Sequence, residues 1–412
     1  MIELVSIGDE LLHGATLNTN AQFIARELYS AGFEVQRITT LPDSRQALQA
    51  GLNEALRRSK VVITTGGLGP TLDDETKNIV SQMLGSELHF DQKYFDHLCQ
   101  IFGETRSTFR SQSTVPEKAK LLYNRLGTAP GLVFADQGLI LLPGVPSELK
   151  GLWPEAFEFI KKRLKNAPKV LHKRMTLALL REQNVDPVLR MLKEQFPELG
   201  FGIYPAYGYL GVRISGSDSN KIDAAFEKIS AQFSEHVMAH QSSSPEETLH
   251  ELLIKKNQTL AVAESCTGGL IASKITSLQS ASEYFLGGVV SYSNLAKSSL
   301  LGVSGKTLKS HGAVSSEVAK EMLAGVFEKF QSNWGIAVTG IAGPTGGTDD
   351  KPIGTVWIAM GKKDKEPIVG LVPSVRSGWA RQTIINACAN FALAGLWQLI
   401  QHNTSPFEAY ND

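Results

Sequence analysis

A chain of 412 residues is too long for one ordinary hydrophobic core, so two to three domains are expected. Its 41 Lys plus Arg residues balance 41 Asp plus Glu residues, and the absence of net charge argues against a nucleic-acid-binding or membrane-surface protein. Three scattered cysteines, Cys99, Cys266 and Cys388, fit neither a disulfide framework nor zinc-ligand spacing, which points to a reducing cytoplasm.

The N-terminus carries Glu3, Asp9 and Glu10 where a signal peptide would be basic, and no apolar run reads as long enough to span a bilayer. Residues 2–8 have a buried-strand pattern, followed by a helix over 20–31, a strand over 34–41, a helix over 44–58 and a strand over 61–65. Strands alternating with helices predict a parallel sheet covered on both faces, whose ligands bind at the carboxyl ends of the strands. Those ends carry Asp9, Asp43 and the run Gly66, Gly67, Leu68, Gly69, Pro70, Thr71, Leu72, Asp73, Asp74, Glu75, Thr76. The glycines would admit a phosphate or a pterin-like ring, and the carboxylates a divalent metal; the alternative is that the acidic trio only favours the next helix start.

Thr64 to Pro70 with Thr71, Asp73, Asp74 and Thr76 resembles the signature of the molybdopterin-binding fold, in the variant found at the N-terminus of CinA-family proteins. Asn124 with Gly127 to Gly131, and Leu142 to Pro146 with Glu148 and Leu149, match that family too. The resemblance implies metal-dependent cleavage of ADP-ribose or a related pyrophosphate, with Asp43 and Asp74 as metal ligands. Arg110 to Ser113 departs from it, lacking an expected Asn and Lys.

Residues 169–240 read as a small α+β domain: a strand over 174–180, a helix over 184–194, a hairpin over 201–215 and a helix over 220–233. Its resemblance is to the middle domain of CinA proteins. A linker at 240–245 leads to the last domain, so the expected division is 1–168, 169–240 and 241–412.

In that last domain an apolar run from Leu260 ends in Glu264, Ser265, Cys266, Thr267, Gly268 and Gly269 before helical spacing resumes. A hydroxyl, a thiol and unhindered N–H groups at a helix start suit an anionic ligand or a developing oxyanion; the alternative is that Ser265 or Thr267 merely caps the helix. A second strand over 285–291 runs into Tyr292, Ser293, Asn294 and Lys297. If Asn294 caps the next helix, Lys297 lies in its first turn, where the dipole lowers its pKa and makes it a base. A third strand over 334–339 ends in Thr339, Gly340 and a glycine-rich turn over 343–347. In one sheet the three ends would converge.

That set suits metal-free amide hydrolysis: Ser265 as nucleophile, Lys297 with Tyr292 moving the proton, and N–H groups after Ser265 holding the oxyanion. Cys266 is the competing nucleophile, since a helix N-terminus lowers a thiol pKa. Gly302 to Thr307 imitates a phosphate-binding loop, but Leu300 stands where the motif needs glycine.

The whole domain resembles the CinA C-terminal family, the nicotinamide mononucleotide amidohydrolases, through Ala263 to Gly269, Tyr292 to Asn294 with Lys297, His311 to Ser315, Val338 to Pro344 with Gly346 and Gly347, and Lys351 to Val356. The family implies deamidation of nicotinamide mononucleotide to nicotinate mononucleotide, with Ser265, Tyr292 and Lys297 catalytic and with Cys266, Thr267, Gly268, Asn294, Thr339 and Gly340 at the substrate. A phosphate-gripping arginine is expected near Arg376, displaced by one position because Ser377 stands where it should be; Arg381 matches a second arginine. Small-molecule nucleotide substrates, no cofactor for the amidase and a homodimer complete the expectation. The competing class is a CinA-like binding or regulatory protein linked to competence or DNA damage.

Overall fold

The computed structural model describes the chain except residues 72–73, 104–106, 168, 242, 374, 376–377 and 410–412. It divides into two compact units, Met1–Val170 and Leu171–Asp412.

The first unit contains β1 (Ile2–Ile7), β2 (Val35–Leu41), β3 (Val61–Thr65), β4 (Leu88–Phe90), β5 (Thr114–Pro116), β6 (Lys120–Leu122), β7 (Gly131–Phe134) and β8 (Leu139–Leu142). Six of these form one sheet in the order β2-β1-β3-β8-β7-β6, while β4 and β5 pair separately. Pairings among β2, β1, β3 and β8 are parallel, and β7 and β6 close one side antiparallel. Alternation along β1 and β3 sends Ile2, Leu4, Val61 and Ile63 to one face, against helices Thr19–Ser30 and Pro146–Arg163. Val5, Ile7 and Val62 go to the other, against Arg45–Arg58 and Thr76–Met83. Both faces are therefore buried, as parallel strands joined by helical crossovers require.

The second unit adds β9 (Leu171–Ala178), β10 (Gly200–Ala206), β11 (Tyr209–Gly216) and β12 (Val237–Ala239), an antiparallel sheet in the order β10-β11-β9-β12. Its core packs beneath helices Glu182–Gln195 and Ser219–Gln232. Then come β13 (Leu260–Glu264), β14 (Phe285–Val290), β15 (Trp334–Gly340), β16 (Val356–Lys362) and β17 (Ile368–Leu371), in the order β14-β13-β15-β16-β17. The first three strands are mutually parallel, so the ends of β13, β14 and β15 meet at one edge. Leu260 and Val262 face the larger core, whereas Ala261 and Ala263 face helix Ser316–Phe330 across small side chains.

Helix Arg381–His402, of 22 residues, corrects one sequence expectation: by length and composition it is apolar enough to cross a membrane. Most of that stretch is buried within the fold, because it is the central helix of the larger core and apolar all round.

Candidate functional site

Strand β13 does not stop cleanly at Glu264. The Ser265 N–H donates to the Val338 carbonyl of β15 at 2.9 Å, and the Ser265 carbonyl accepts from Gly268 N–H at 3.1 Å, closing a tight turn. Gly268 and Gly269 then take φ of +61° and +100°, a conformation that side-chain-bearing residues avoid. The helix that follows, Leu270–Thr276, is not capped by Ser265 or Thr267. Glu264, itself buried, reaches over the turn and accepts from the N–H groups of Gly269, Ile271 and Ala272 at 3.0, 3.1 and 2.8 Å. A carboxylate thus fills the helix start and neutralises its positive end. Glu264→Ala strips three donors of a charged acceptor, and a loss of about 3 kcal/mol is expected, read as a lowered urea midpoint.

Lys297 arrives from the neighbouring strand end. Helix Asn294–Leu301 is capped by Ser293, whose Oγ accepts from Ala296 N–H at 3.1 Å, and not by Asn294, which is exposed at the first helical position. Lys297 is 1% exposed, and its Nζ lies 2.8 Å from Ser265 Oγ and 2.8 Å from the Ser291 carbonyl. No carboxylate pairs with it among the described residues. Burial holds its pKa below the ordinary 10.5. The depression comes from lost hydration, where the sequence suggested the helix dipole. Nζ donates to both the Ser265 Oγ and the Ser291 carbonyl, and loss of one proton would free a lone pair to accept from the Ser265 hydroxyl.

Cys266 cannot compete as a nucleophile. Burial pushes its thiol up to about 12, although the Lys297 charge acts in the opposite direction, so the helix-start lowering expected from sequence is outweighed. The N–H groups of Cys266 and Thr267 donate to no other residue among the described ones, the Cys266 N–H meeting only its own sulfur, and the buried Thr267 Oγ1 has no hydrogen-bond partner among them. They remain available beside Ser265. Because Cys266 is present as a thiol near neutral pH, Cys266→Ala should change turnover by no more than about threefold and iodoacetamide should leave activity intact.

Tyr292 stands apart from this pair: it is 61% exposed, and its hydroxyl accepts from Arg381 Nη2 at 2.9 Å. Arg381 Nη1 donates to the Gly343 carbonyl at 2.6 Å, so one guanidinium ties the tyrosine to the glycine-rich turn after β15. Thr339, buried, spends its hydroxyl on the Ala313 carbonyl at 2.7 Å. A Cβ on Gly340 would meet Val356 Cα at 2.8 Å, so strand packing demands that glycine. Arg376 lies outside the described residues.

In the first unit the expected crevice is divided. Asp43 Oδ2 accepts from Asp9 N–H at 2.9 Å, while Asp74 Oδ2 accepts from Thr71 N–H at 3.0 Å and from the Thr71 hydroxyl. Asp73 lies outside the described residues. A Cβ on Gly66 would meet the Ile7 carbonyl at 2.3 Å, on Gly67 the Thr76 hydroxyl at 2.0 Å, and on Gly69 the Asp74 carboxylate at 2.4 Å. These glycines admit the chain's own atoms, where the sequence suggested a ligand. Thr76 is buried and its Oγ1 has no hydrogen-bond partner among the described residues. Among the described residues, which leave out Asp73, no three His, Cys, Asp or Glu side chains converge. What does converge is a cleft of about 340 Å3 lined by Asp74, Lys77, Ser111 and Gln112. Lys77 Nζ donates to the Ser111 carbonyl at 2.8 Å, and burial pulls its pKa down to about 8.

Comparison with known proteins follows the same division. The model for the CinA C-terminal domain matches residues 242–400, and the one described as "Probable molybdopterin binding domain" matches residues 3–163. A CinA-like protein of Cytophaga hutchinsonii is 34% identical over 93% of this chain and 95% of its own length. The chain belongs to the CinA family. A CinA-like protein of Chlorobaculum tepidum is 38% identical over 87% of this chain and 89% of its own. The solved structure of CinA from Thermoplasma acidophilum is 32% identical, covers 39% of this chain and 96% of that one, and superposes with a TM-score of 0.37.

Of the residues read from this CinA sequence, Ser265 and Lys297 are in contact, Cys266, Thr267 and Gly268 frame them, and the Tyr292 hydroxyl meets Arg381. Glu264, Ser291 and Lys77 were not among them, whereas Arg381 was expected as the second arginine of the phosphate-gripping stretch. Glu264 and Ser291 flank residues that were, and Lys77 follows Thr76 at a helix start, so proximity to a strand end was the signal available.

Proposed function

We propose that Ser265 and Lys297 hydrolyse a carboxamide, and that the substrate is nicotinamide mononucleotide, converted to nicotinate mononucleotide and ammonia. The observation that carries this reading is the 2.8 Å contact between two buried groups, a serine hydroxyl and a lysine amine with no carboxylate partner among the described residues. Ser265 Oγ attacks the carboxamide carbon as its proton passes to Lys297 Nζ. The carbonyl oxygen becomes an oxyanion facing the N–H groups of Cys266 and Thr267. Collapse breaks the C–N bond, Lys297 returns the proton to the departing nitrogen, and ammonia leaves an acyl ester on Ser265. Water, deprotonated by Lys297, then attacks the ester; collapse breaks the bond to Ser265 Oγ, which takes that proton back from Lys297, and the acid is released. In this reading the Arg381 guanidinium, exposed and tied to Gly343 and Tyr292, binds the substrate phosphate.

The test is ammonia release from nicotinamide mononucleotide with EDTA present; binding without turnover by folded protein would instead support a regulatory CinA protein. The pH profile carries its own expectation. The base is the neutral amine, so kcat/KM should rise with pH and level off at a pKa below 10.5. A profile that falls over that range would remove Lys297 as the base.

For the N-terminal unit the reading is binding of the diphosphate of an ADP-ribose-like nucleotide, supported by the Lys77 cation in its cleft.

A further inference from the structure

Within the second unit, a separate cleft of about 500 Å3 opens between one face of helix Arg381–His402 and the tip of the β10–β11 hairpin. Its walls are fixed to one another. A Cβ on Gly208 would meet Phe391 N at 2.9 Å, so the hairpin tip lies directly on the helix backbone, and the Gly208 carbonyl accepts from Leu179 N–H at 2.9 Å. Tyr207 meets Trp379 edge-on, with ring centroids 5.7 Å apart. The volume lies within the range of small-ligand pockets.

The lining is of two kinds. Trp379, Tyr207, Ala206 and Ala387 supply apolar and aromatic surface, and Asn386 and Asn390 supply amides one helical turn apart. The Asn386 side chain makes no hydrogen bond among the described residues, and Asn390 Oδ1 is buried with no hydrogen-bond partner. Arg181 and Glu182, adjacent at the rim, cancel in charge. This combination selects a flat, uncharged heteroaromatic ring with donors and acceptors along its edges. Amides spaced by about 6 Å along a helix match the long edge of a purine better than a single pyridine carboxamide. Asparagine pairs with adenine through N6 and N7 in the same way, and aromatic faces stack on any base.

We propose that this cleft binds the purine nucleoside part of a nucleotide, with its phosphates in solvent. The proposal is independent of the reading at Ser265.

Calorimetric titration of the full-length protein with adenosine tests it. Saturable binding is expected, weakened about tenfold or more by Asn386→Ala and blocked by Ala206→Trp, which fills the cleft. Asn386 is exposed on a helix, where alanine is well tolerated, so this variant reports even if Ala206→Trp lowers the melting temperature. No binding of adenosine, or binding untouched by both substitutions, would overturn the proposal, the latter placing the ligand elsewhere. Tighter binding of nicotinamide riboside than of adenosine, with the same dependence on Asn386, would overturn the purine assignment.

Discussion

Ser265→Ala is expected to lower turnover of nicotinamide mononucleotide by about 10^4-fold with little change in substrate affinity. The substitution deletes the one oxygen placed to form a covalent bond, and leaves the turn intact because Ser265 is held through its main chain, by Val338 and Gly268. The groups assigned to binding, the N–H groups of Cys266 and Thr267 and the Arg381 guanidinium, are unchanged. Cys266 cannot substitute, since burial keeps its thiol protonated. Ammonia release measured beside calorimetric binding separates the two effects. Retention of more than a tenth of the wild-type rate would remove Ser265 from the chemistry.

Lys297→Met should cost about 10^3-fold in turnover, the usual range for losing a general base, and should also alter stability in a pH-dependent way. Burial lowers the folded pKa of Lys297 below 10.5, so the unfolded chain binds that proton more tightly. Wild-type stability from this group is therefore greatest above the ordinary lysine value and declines as pH falls toward the folded pKa, below which it levels. Methionine removes that dependence. It also leaves the Ser291 carbonyl without its amine donor, an opposing cost of about 1–3 kcal/mol. The difference in melting temperature should thus move in the variant's favour as pH is lowered, whatever its sign at high pH. A constant difference across pH 7 to 10.5 would mean that Lys297 is not perturbed in the folded protein. Loss of activity together with this shift would identify the buried amine as a functional group retained at some expense in stability.

The parts legible from sequence are those whose signal is local. Apolar runs ending in small residues located β1, β3, β13, β14 and β15, and the turn chemistry after β13 marked Ser265. Lys297 was legible because a first-turn lysine after a strand end falls at the same edge of a parallel sheet.

Other features depended on atoms brought together across the chain. Ser293 and Asn294 are both good caps by type, and only the backbone trajectory selects Ser293. Glu264 reads as the last residue of a strand, yet its carboxylate serves a helix that begins six residues later. Cys266 sits at a helix start, where local rules lower a thiol pKa, but the surrounding core raises it because desolvation outweighs the dipole. Gly66, Gly67 and Gly69 carry the pattern of a ligand-cradling loop, while their missing side chains leave room for Ile7, Thr76 and Asp74. Helix Arg381–His402 is apolar enough for a membrane and is instead enclosed by two sheets and their helices.

By itself, then, the sequence determined the family, the strand-and-helix order and the pairing of Ser265 with Lys297, because pattern and spacing are properties of the chain alone. Only the tertiary structure decided the raised thiol pKa of Cys266, the lowered amine pKa of Lys297 and the partners of Tyr292 and Glu264, because desolvation and hydrogen bonding depend on what the rest of the fold places around each group.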